Sequence, residues 1–235
     1  MKDSNLKILK FGHRGASGQA PENTMLAFNK ALEMGCDGVE LDGLLTKDKQ
    51  VVIIHDQTLN RTTNGKGLVC EANLSEIKAL DAGQCEKVPT MEEILAWAQK
   101  NSCLVNLELK DRGMINMVGK AILEKKLERQ VFVTSFLLDE IAKFKKKFPN
   151  IQVGFIFDHC PWRPQRMVRE AKAVGVYILS LKAKWIFKMR GKYIVKLAHN
   201  FGLKVHVWNV DDKSSAERMK AIGVDGLISN CPEIL

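Results

Sequence analysis

The sequence lacks any run of about 20 uncharged apolar residues, the length that a membrane-spanning helix needs. Its first residues, Met1 to Asn5, contain no apolar stretch of the kind found in secretory signal peptides. These absences favour a cytoplasmic protein without a helical membrane anchor. Linkers, low-complexity tracts and short repeats are also missing, so the 235 residues predict one domain over residues 1–235.

Paired cysteines are absent as well. The six cysteines are scattered, and none forms a C-x-x-C pair. This spacing argues against a zinc site, and the apolar or turn context of most of them favours buried free thiols.

Acidic residues are in deficit, with 27 Asp and Glu against 36 Lys and Arg, which gives a net charge of +9. Such a balance suits phosphates, nucleic acid or an anionic membrane surface. No recognised nucleic-acid motif is present, so nucleic acid is not expected as a partner. One basic cluster, Lys143 to Lys147, is typical of a solvated helix face. A second, the basic-aromatic stretch from Lys182 to Tyr193, follows a predicted strand, a position from which it could line the mouth of the site. It fits either a solvated face, which is the simpler interpretation, or a peripheral membrane contact.

Strand and helix patterns alternate along the chain, which predicts a parallel α/β sheet. The predicted strands are 7–12, 37–41, 51–54, 104–109, 131–134, 152–157, 176–180, 204–208 and 225–228. The predicted helices are 24–34, 90–100, 114–126, 137–147, 164–174, 189–200 and 212–221. The link between 41 and 51 is too short for a crossover helix, so 51–54 is either an antiparallel neighbour or an irregularly joined barrel strand. Residues 56–88 interrupt the alternation and predict an inserted subdomain over the site.

Catalytic residue types follow several of the predicted strands, as they do on the carboxyl face of a β/α barrel. Glu40 and Asp42 are two residues apart on one strand and therefore point to the same side. Glu108 ends another strand. Three converging carboxylates repel one another unless a cation lies among them, so the pattern predicts one divalent cation, Mg²⁺ or Ca²⁺, with oxygen ligands.

Two histidines, His13 and His55, also follow separate strands. Histidine can take or give a proton near neutral pH, and cleavage of a phosphodiester needs both transfers. Arg14 can grip phosphate oxygens with two nitrogens, and Lys110 can add a point charge. His159, His199 and His206 are more simply interpreted as packing residues.

Taken in order, these segments resemble the glycerophosphodiester phosphodiesterases, a TIM-barrel family. The resemblance covers almost the whole chain. Its motifs are His13-Arg14-Gly15, Pro21-Glu22-Asn23-Thr24, Asp37 to Asp42, His55-Asp56, Thr58-Leu59, Arg61 to Gly65, Val88 to Glu93, Leu107 to Lys110 and Val205 to Trp208. Two segments depart from the family pattern: Leu44 replaces a residue that is usually polar, and Ser229-Asn230-Cys231-Pro232 replaces a closing T-D-x-P.

The resemblance implies a TIM (β/α)8 barrel, and it implies a role for each matching residue. Glu40, Asp42 and Glu108 match metal ligands, and His13 and His55 match the acid/base pair. Arg14 and Lys110 match phosphate contacts, Glu22 and Asn23 match residues that shape the substrate site, and Trp208 matches an aromatic residue at its mouth. Asp56 matches the acid after the second histidine. The segment 56–88 matches an insertion that covers the glycerol pocket.

The expected reaction is metal-dependent hydrolysis of a small glycerophosphodiester to glycerol 3-phosphate and an alcohol. Attack by water and attack by the neighbouring glycerol hydroxyl, which forms a cyclic phosphate, both remain open. The main alternative is a lysophospholipase D that acts at a membrane surface. A barrel that only binds anions is disfavoured because all five key residues are present. Phosphatidylinositol phospholipases C and sphingomyelinase D-type enzymes fit less well, since the former generally lack the Glu-x-Asp pair and the latter are usually secreted.

Overall fold

Eight parallel strands close into a barrel, and helices connect them on the outside. The structure is a computed structural model that describes residues 7–158, 163–188 and 191–235. The ring order is β1-β9-β8-β7-β6-β5-β4-β2, and β2 returns to β1. One further strand, β3, lies outside the ring and pairs antiparallel with the end of β2. The predicted TIM barrel is confirmed, and of the two arrangements left open for residues 51–54 the antiparallel one is found.

The strands are β1 Leu9–His13, β2 Gly38–Leu45, β3 Val51–Ile53, β4 Leu104–Leu109, β5 Val131–Ser135, β6 Gln152–Phe157, β7 Ile178–Lys182, β8 Lys204–Trp208 and β9 Gly226–Ser229. The helices are α1 Met25–Glu33, α2 Leu74–Ala79, α3 Met91–Asn101, α4 Ile115–Glu124, α5 Leu138–Lys147, α6 Pro164–Ala173, α7 Ala183–Lys188, α8 Gly191–Asn200 and α9 Lys213–Ile222. Short 3₁₀ helices cover Val69–Glu71 and Pro232–Ile234.

Local sequence sets where several helices begin. The Thr24 hydroxyl accepts a hydrogen bond from the Ala27 amide at the start of α1. Thr90 and Glu93 form a reciprocal capping box at the start of α3, and Asp212 caps α9 through the Ser215 amide. Each cap satisfies an amide that has no partner within its helix, so helix starts are pinned directly after the loops that follow the strands.

Strand register brings the polar residues together. Glu40 pairs in register with His13 across β1 and β2, and Asp42 pairs with Glu108 across β2 and β4. His13 and Glu108 lie at the carboxyl ends of β1 and β4, and Glu40 and Asp42 are level with them on β2, so the four side chains converge on one end of the barrel.

Three apolar clusters support this arrangement. The largest fills the space between barrel and helices. A second lies inside the barrel near its amino end and includes Phe11, Phe132, Ile178 and Ile228. The third belongs to the inserted segment, where Val69, Ile77 and other residues pack against Leu44, Val52 and Ile54. Leu44, the first departure from the family pattern, is thus a core residue of the insertion.

Some expectations need correction. Residues 183–188 of the basic-aromatic stretch form α7, a helix that the sequence pattern did not predict, because it follows β7 with no intervening loop. Cys36 and Cys103 are buried as expected, but Cys70, in the 3₁₀ helix Val69–Glu71, and Cys85, in a turn, are exposed on the surface of the 56–88 insertion. His159 and Cys160 fall outside the described residues. Within the described parts of the chain, no helix has both the length and the apolarity needed to cross a membrane. The single-domain organisation stays a prediction.

Candidate active site

Three buried carboxylates meet at the carboxyl end of β2 and β4. Glu40, Asp42 and Glu108 each offer an oxygen atom, and these oxygens all lie within 4.8 Å of one another. Their exposed fractions are between 1 and 6 %. Groups of this kind keep their charge in a buried place only when cations lie close to them.

The electrostatics show a shortage of positive charge. Burial, together with the charges of Asp42 and Glu108, raises the pKa of Glu40 well above its usual value. Burial and the Asp42 charge raise the pKa of Glu108 to about 7. Burial also acts to raise the pKa of Asp42, but the Lys110 and Arg14 cations outweigh it and hold that pKa low. Two protein cations therefore do not balance three carboxylates.

These two cations come from neighbouring elements. Lys110 Nζ donates to Asp42 Oδ1 at 3.2 Å and to Glu108 Oε1 at 3.1 Å. Arg14 Nε lies 3.4 Å from Asp42 Oδ2. Both cations are thus anchored by the acidic cluster, and both line the same cavity.

The turn after β1 has an unusual backbone. Arg14 and Gly15 have φ values of 56° and 79°, so two consecutive residues are left-handed. At Gly15 a Cβ atom would lie 2.5 Å from the backbone of Ala27, which leaves room for glycine alone. This geometry lets the Arg14 amide donate to Glu40 Oε2 at 3.2 Å. The His-Arg-Gly motif is therefore required by the shape of the turn as well as by its side chains.

His13 is held by two asparagines that sequence reasoning did not identify. Asn230 Oδ1 and Asn209 Nδ2 each lie 2.7 Å from His13 Nδ1, which can serve only one of them. The Asn230 amide is oriented by Ser17, which donates to Oδ1, and by Asp211, which accepts from Nδ2. This orientation favours a proton on Nδ1 and a lone pair on Nε2, which faces Glu40 Oε2 at 3.8 Å. Burial and the Arg14 cation lower the pKa of His13 to about 4.

His55 has a different support. Its Nδ1 lies 2.7 Å from Asp56 Oδ1. Arg61 donates to both Asp56 oxygens and to both oxygens of Glu22, which also accepts from Arg14 at 2.8 Å. Hydrogen bonds from Arg61 hold the pKa of Asp56 well below its usual range. One connected network thus joins His55 to Arg14 through the insertion.

A cavity of about 480 Å³ opens at this end of the barrel. Eight of the ten predicted site residues line it: His13, Arg14, Glu40, Asp42, His55, Glu108, Lys110 and Trp208. Glu22 and Asn23 do not; the structure places them behind the cavity, where Asn23 donates to Asp42 Oδ2 at 2.9 Å and Glu22 holds Arg14. Phe136, Lys182, Asn209 and Asn230 also line it. Each lies at the end of a strand or directly after one, and Asn230 occupies the second position of the segment that replaces the family's closing T-D-x-P.

His199, His206 and the described residues of the basic-aromatic stretch other than Lys182 do not line this cavity. His206 is 2 % exposed and packs against Phe11 and Phe132 inside the barrel, and His199 pairs with Asp225 near the amino end. Trp185 donates to the carbonyl of Asp158.

The acidic cluster fits a divalent cation. Its ligands are hard oxygen atoms, they are close enough together to share one ion, and their own repulsion raises two of the three pKa values. A dication would supply the missing positive charge.

Comparison with known proteins agrees with this geometry. Residues 13–234 match the glycerophosphoryl diester phosphodiesterase family. The chain is 36 % identical to a glycerophosphodiester phosphodiesterase of Caldanaerobacter subterraneus subsp. tengcongensis, over 98 % of this chain and 97 % of that one. A phosphodiesterase of Oleispira antarctica, solved with the product sn-glycerol-3-phosphate, has a TM-score of 0.83 at 29 % identity and covers 96 % of this chain and 94 % of its own.

A glycerophosphodiester phosphodiesterase of Thermotoga maritima has a TM-score of 0.84 at 27 % identity, with 98 % of each chain covered. The family match over residues 13–234 includes the insertion and all the residues that line the cavity. The chain therefore belongs to the glycerophosphoryl diester phosphodiesterase family.

Proposed function

We propose that the protein hydrolyses small glycerophosphodiesters to glycerol 3-phosphate and an alcohol, with Mg²⁺ or Ca²⁺ held by Glu40, Asp42 and Glu108. The observation that carries this proposal is the convergence of two histidines, three carboxylates and two cations on one cavity. Such a set provides charge neutralisation and two proton transfers, which are what phosphodiester hydrolysis requires.

When bound, the cation would act as a Lewis acid toward the phosphate oxygens. Arg14 and Lys110 add positive charge beside it. The Arg14 guanidinium is held by Glu22 and lies against Asp42, so its position is set before substrate binds. A charge that is fixed in advance stabilises the transition state without a reorganisation cost.

The two histidines have unlike environments, which suggests unlike roles. His13 is deprotonated at neutral pH because its pKa is about 4, and its Nε2 is free to accept a proton. His55 is instead paired through Nδ1 with the Asp56 carboxylate, which orients its ring. We assign His13 as the general base and His55 as the acid that protonates the leaving alcohol.

The test is release of glycerol 3-phosphate from glycerophosphoglycerol and glycerophosphocholine, with Mg²⁺, with Ca²⁺ and with EDTA. We expect release with a cation and its loss in EDTA, with recovery after the cation is restored. Full activity in excess EDTA would overturn the metal assignment. If neither substrate released glycerol 3-phosphate, the proposed activity would be overturned.

The lysophospholipase D alternative gains no support from the basic-aromatic stretch. Phe187 packs against the core and under Arg218, whose guanidinium carbon lies 4.0 Å from the ring centre. Trp185 is hydrogen-bonded and covered by Lys184. Aromatic side chains that are engaged in this way are not presented to a bilayer, so the small diester is the favoured substrate.

A further inference from the structure

Three cations line the active-site cavity, and they differ in their partners. Arg14 and Lys110 are both tied to carboxylates. Lys182 has no carboxylate partner in the described parts of the chain, and its ammonium lies 5.0 Å from the centre of the Trp208 ring. Lys182 therefore brings to the cavity a positive charge that no carboxylate of residues 7–158, 163–188 or 191–235 neutralises.

Lys182 is on the opposite side of the cavity from the acidic cluster. It is the last residue of β7, in register with Trp208, and β7 is diametrically across the eight-stranded ring from β2. Phe136, Ile156 and Trp208 form the wall around it, and Phe136 is 40 % exposed. Outside the acidic cluster, no described residue that lines the cavity is acidic. A substituent that extends from a phosphate at β2 across the cavity meets this wall.

The charge on this wall discriminates between leaving alcohols. A quaternary ammonium group binds best over an aromatic face or beside a carboxylate. Here the Trp208 face already holds the Lys182 ammonium, and an incoming cation would be repelled by it. An anionic group would instead gain the only unpaired cation among the described lining residues. Discrimination by a repulsive element of this kind is a common source of specificity.

We propose that Lys182 is a specificity-determining residue that makes the enzyme prefer glycerophosphodiesters whose leaving alcohol is anionic, such as one that carries a second phosphate, over those with a cationic alcohol. This inference rests on the proposed function and names the substrate class of the same site.

The test compares kcat/KM for three substrates in the cation-loaded enzyme. These are bis(glycerophospho)glycerol, whose leaving alcohol is anionic, glycerophosphoglycerol, whose leaving alcohol is neutral, and glycerophosphocholine, whose leaving alcohol is cationic. The wild-type enzyme should prefer them in that order. In Lys182→Met the ratio between the first and the last should fall about tenfold, and in Lys182→Glu it should fall further, because one ionic contact is lost and then reversed. Lys182→Arg should keep the ratio.

Lys184→Met is the matched control. Lys184 also covers a tryptophan ring, at 4.7 Å, but it is exposed and does not line the cavity. Its loss should leave the ratio unchanged. Wild-type selectivity should also weaken with added salt, since charges near the cavity mouth are screened.

The outcomes separate this proposal from the one on which it rests. An unchanged ratio in Lys182→Met, or an equal loss on all three substrates, would overturn the charge-selection proposal alone, because an equal loss means contact with the glycerol or the phosphate. No hydrolysis of any substrate by the wild-type enzyme would overturn the proposed function and this inference together.

Discussion

The two ends of the barrel contain similar parts with different connections. A His–Asp–cation group occurs at both: His55, Asp56 and Arg61 at the carboxyl end, and His199, Asp225 and Lys204 at the amino end. The histidine nitrogen lies 2.7 Å from a carboxylate oxygen in each. Each end also has a cavity, of about 480 Å³ at the carboxyl end and about 580 Å³ at the amino end.

The buried histidines sharpen the contrast. Burial lowers the pKa of both His13 and His206 to about 4. His13 has amide partners and faces Glu40, whereas His206 Nδ1 is buried without a hydrogen-bond partner among the described residues. A lowered histidine pKa, a cavity and a histidine–carboxylate pair therefore occur at both ends of the barrel, so none of them alone identifies an active site. What distinguishes the carboxyl end is that its groups share partners, so that the acidic cluster, both histidines and both cations are linked.

The largest expected effect is on turnover. His13→Ala and His55→Ala should each lower kcat by about 10²–10⁴-fold, because a proton transfer is lost. His206→Met, the matched change at the amino end, should keep kcat within about twofold, since His206 touches no group of the site. The measurement is steady-state hydrolysis of glycerophosphoglycerol.

The same variants separate the acid from the base. With glycerophospho-p-nitrophenol, whose leaving group needs no proton, His55→Ala should recover most of its activity and His13→Ala should not. Recovery in His13→Ala instead would reverse the two roles. Wild-type turnover in either variant would remove that histidine from the mechanism.

The next effect is stabilisation by the cation. Mg²⁺ or Ca²⁺ at about 100 times its dissociation constant should raise the free energy of unfolding by about 2.7 kcal/mol, since the ion binds only the folded site. Asp42→Asn should abolish this increment. Asp225→Asn, at the amino end, lowers the starting stability by removing partners of Lys204 and Val205 but should keep the increment. Thermal unfolding with and without the cation measures both, and an increment that survives Asp42→Asn would place the ion elsewhere.

A third prediction concerns acid stability and the amino end. The pKa of His206 is about 4 in the folded protein, against 6.5 for an unperturbed histidine, so the unfolded chain binds more protons between these pH values. Its contribution to stability is present above pH 6.5 and is lost as the pH falls toward 4. Between pH 7 and pH 4.5, the His206→Met variant should therefore lose less of its free energy of unfolding than the wild type loses. The difference between the two losses should be on the order of 2 kcal/mol. The measurement is urea unfolding of both proteins at several pH values. If the free energy of unfolding fell equally with pH in the wild type and in His206→Met, the prediction would be contradicted.

The sequence allowed the cavity's main groups to be predicted because each lies next to a strand end that is visible in the local pattern. Glu40, Asp42 and Glu108 needed only the two-residue periodicity and the assumption of a parallel barrel. Asn230 and Asn209 were not identified, because their contacts with His13 span 217 and 196 residues and depend on barrel closure. Glu22 and Asn23 were expected at the substrate, but a left-handed Asn23 turns that loop behind the acidic cluster.

Charge pattern was the weaker guide. The basic-aromatic stretch left a solvated face and a membrane surface as alternatives, yet most of its described aromatic rings pack against neighbours, and the informative residue within it is Lys182, which lines the cavity. Whether a lysine faces a cavity or solvent follows from strand length, since β7 ends at Lys182 and α7 starts at the next residue. That boundary is invisible in composition.

The smallest expected effect tests whether the connections themselves matter. Arg61→Met removes the link between Asp56 and Glu22 and so loosens both His55 and Arg14, which should lower kcat/KM about three- to tenfold. Because the Arg14 cation helps to lower the pKa of the proposed base His13, a displaced Arg14 should also move the acidic limb of the pH–rate profile to higher pH. Lys204→Met removes the corresponding cation from the amino-end group, and it should change neither. The charge-preserving Arg61→Lys cannot bridge two carboxylates with a planar fork and should recover only part of the loss. If Arg61→Met left the pH–rate profile unchanged while lowering thermal stability, the network would stabilise the fold without acting on catalysis. The functional difference between the two ends of the barrel would then depend on the acidic cluster and the histidines alone.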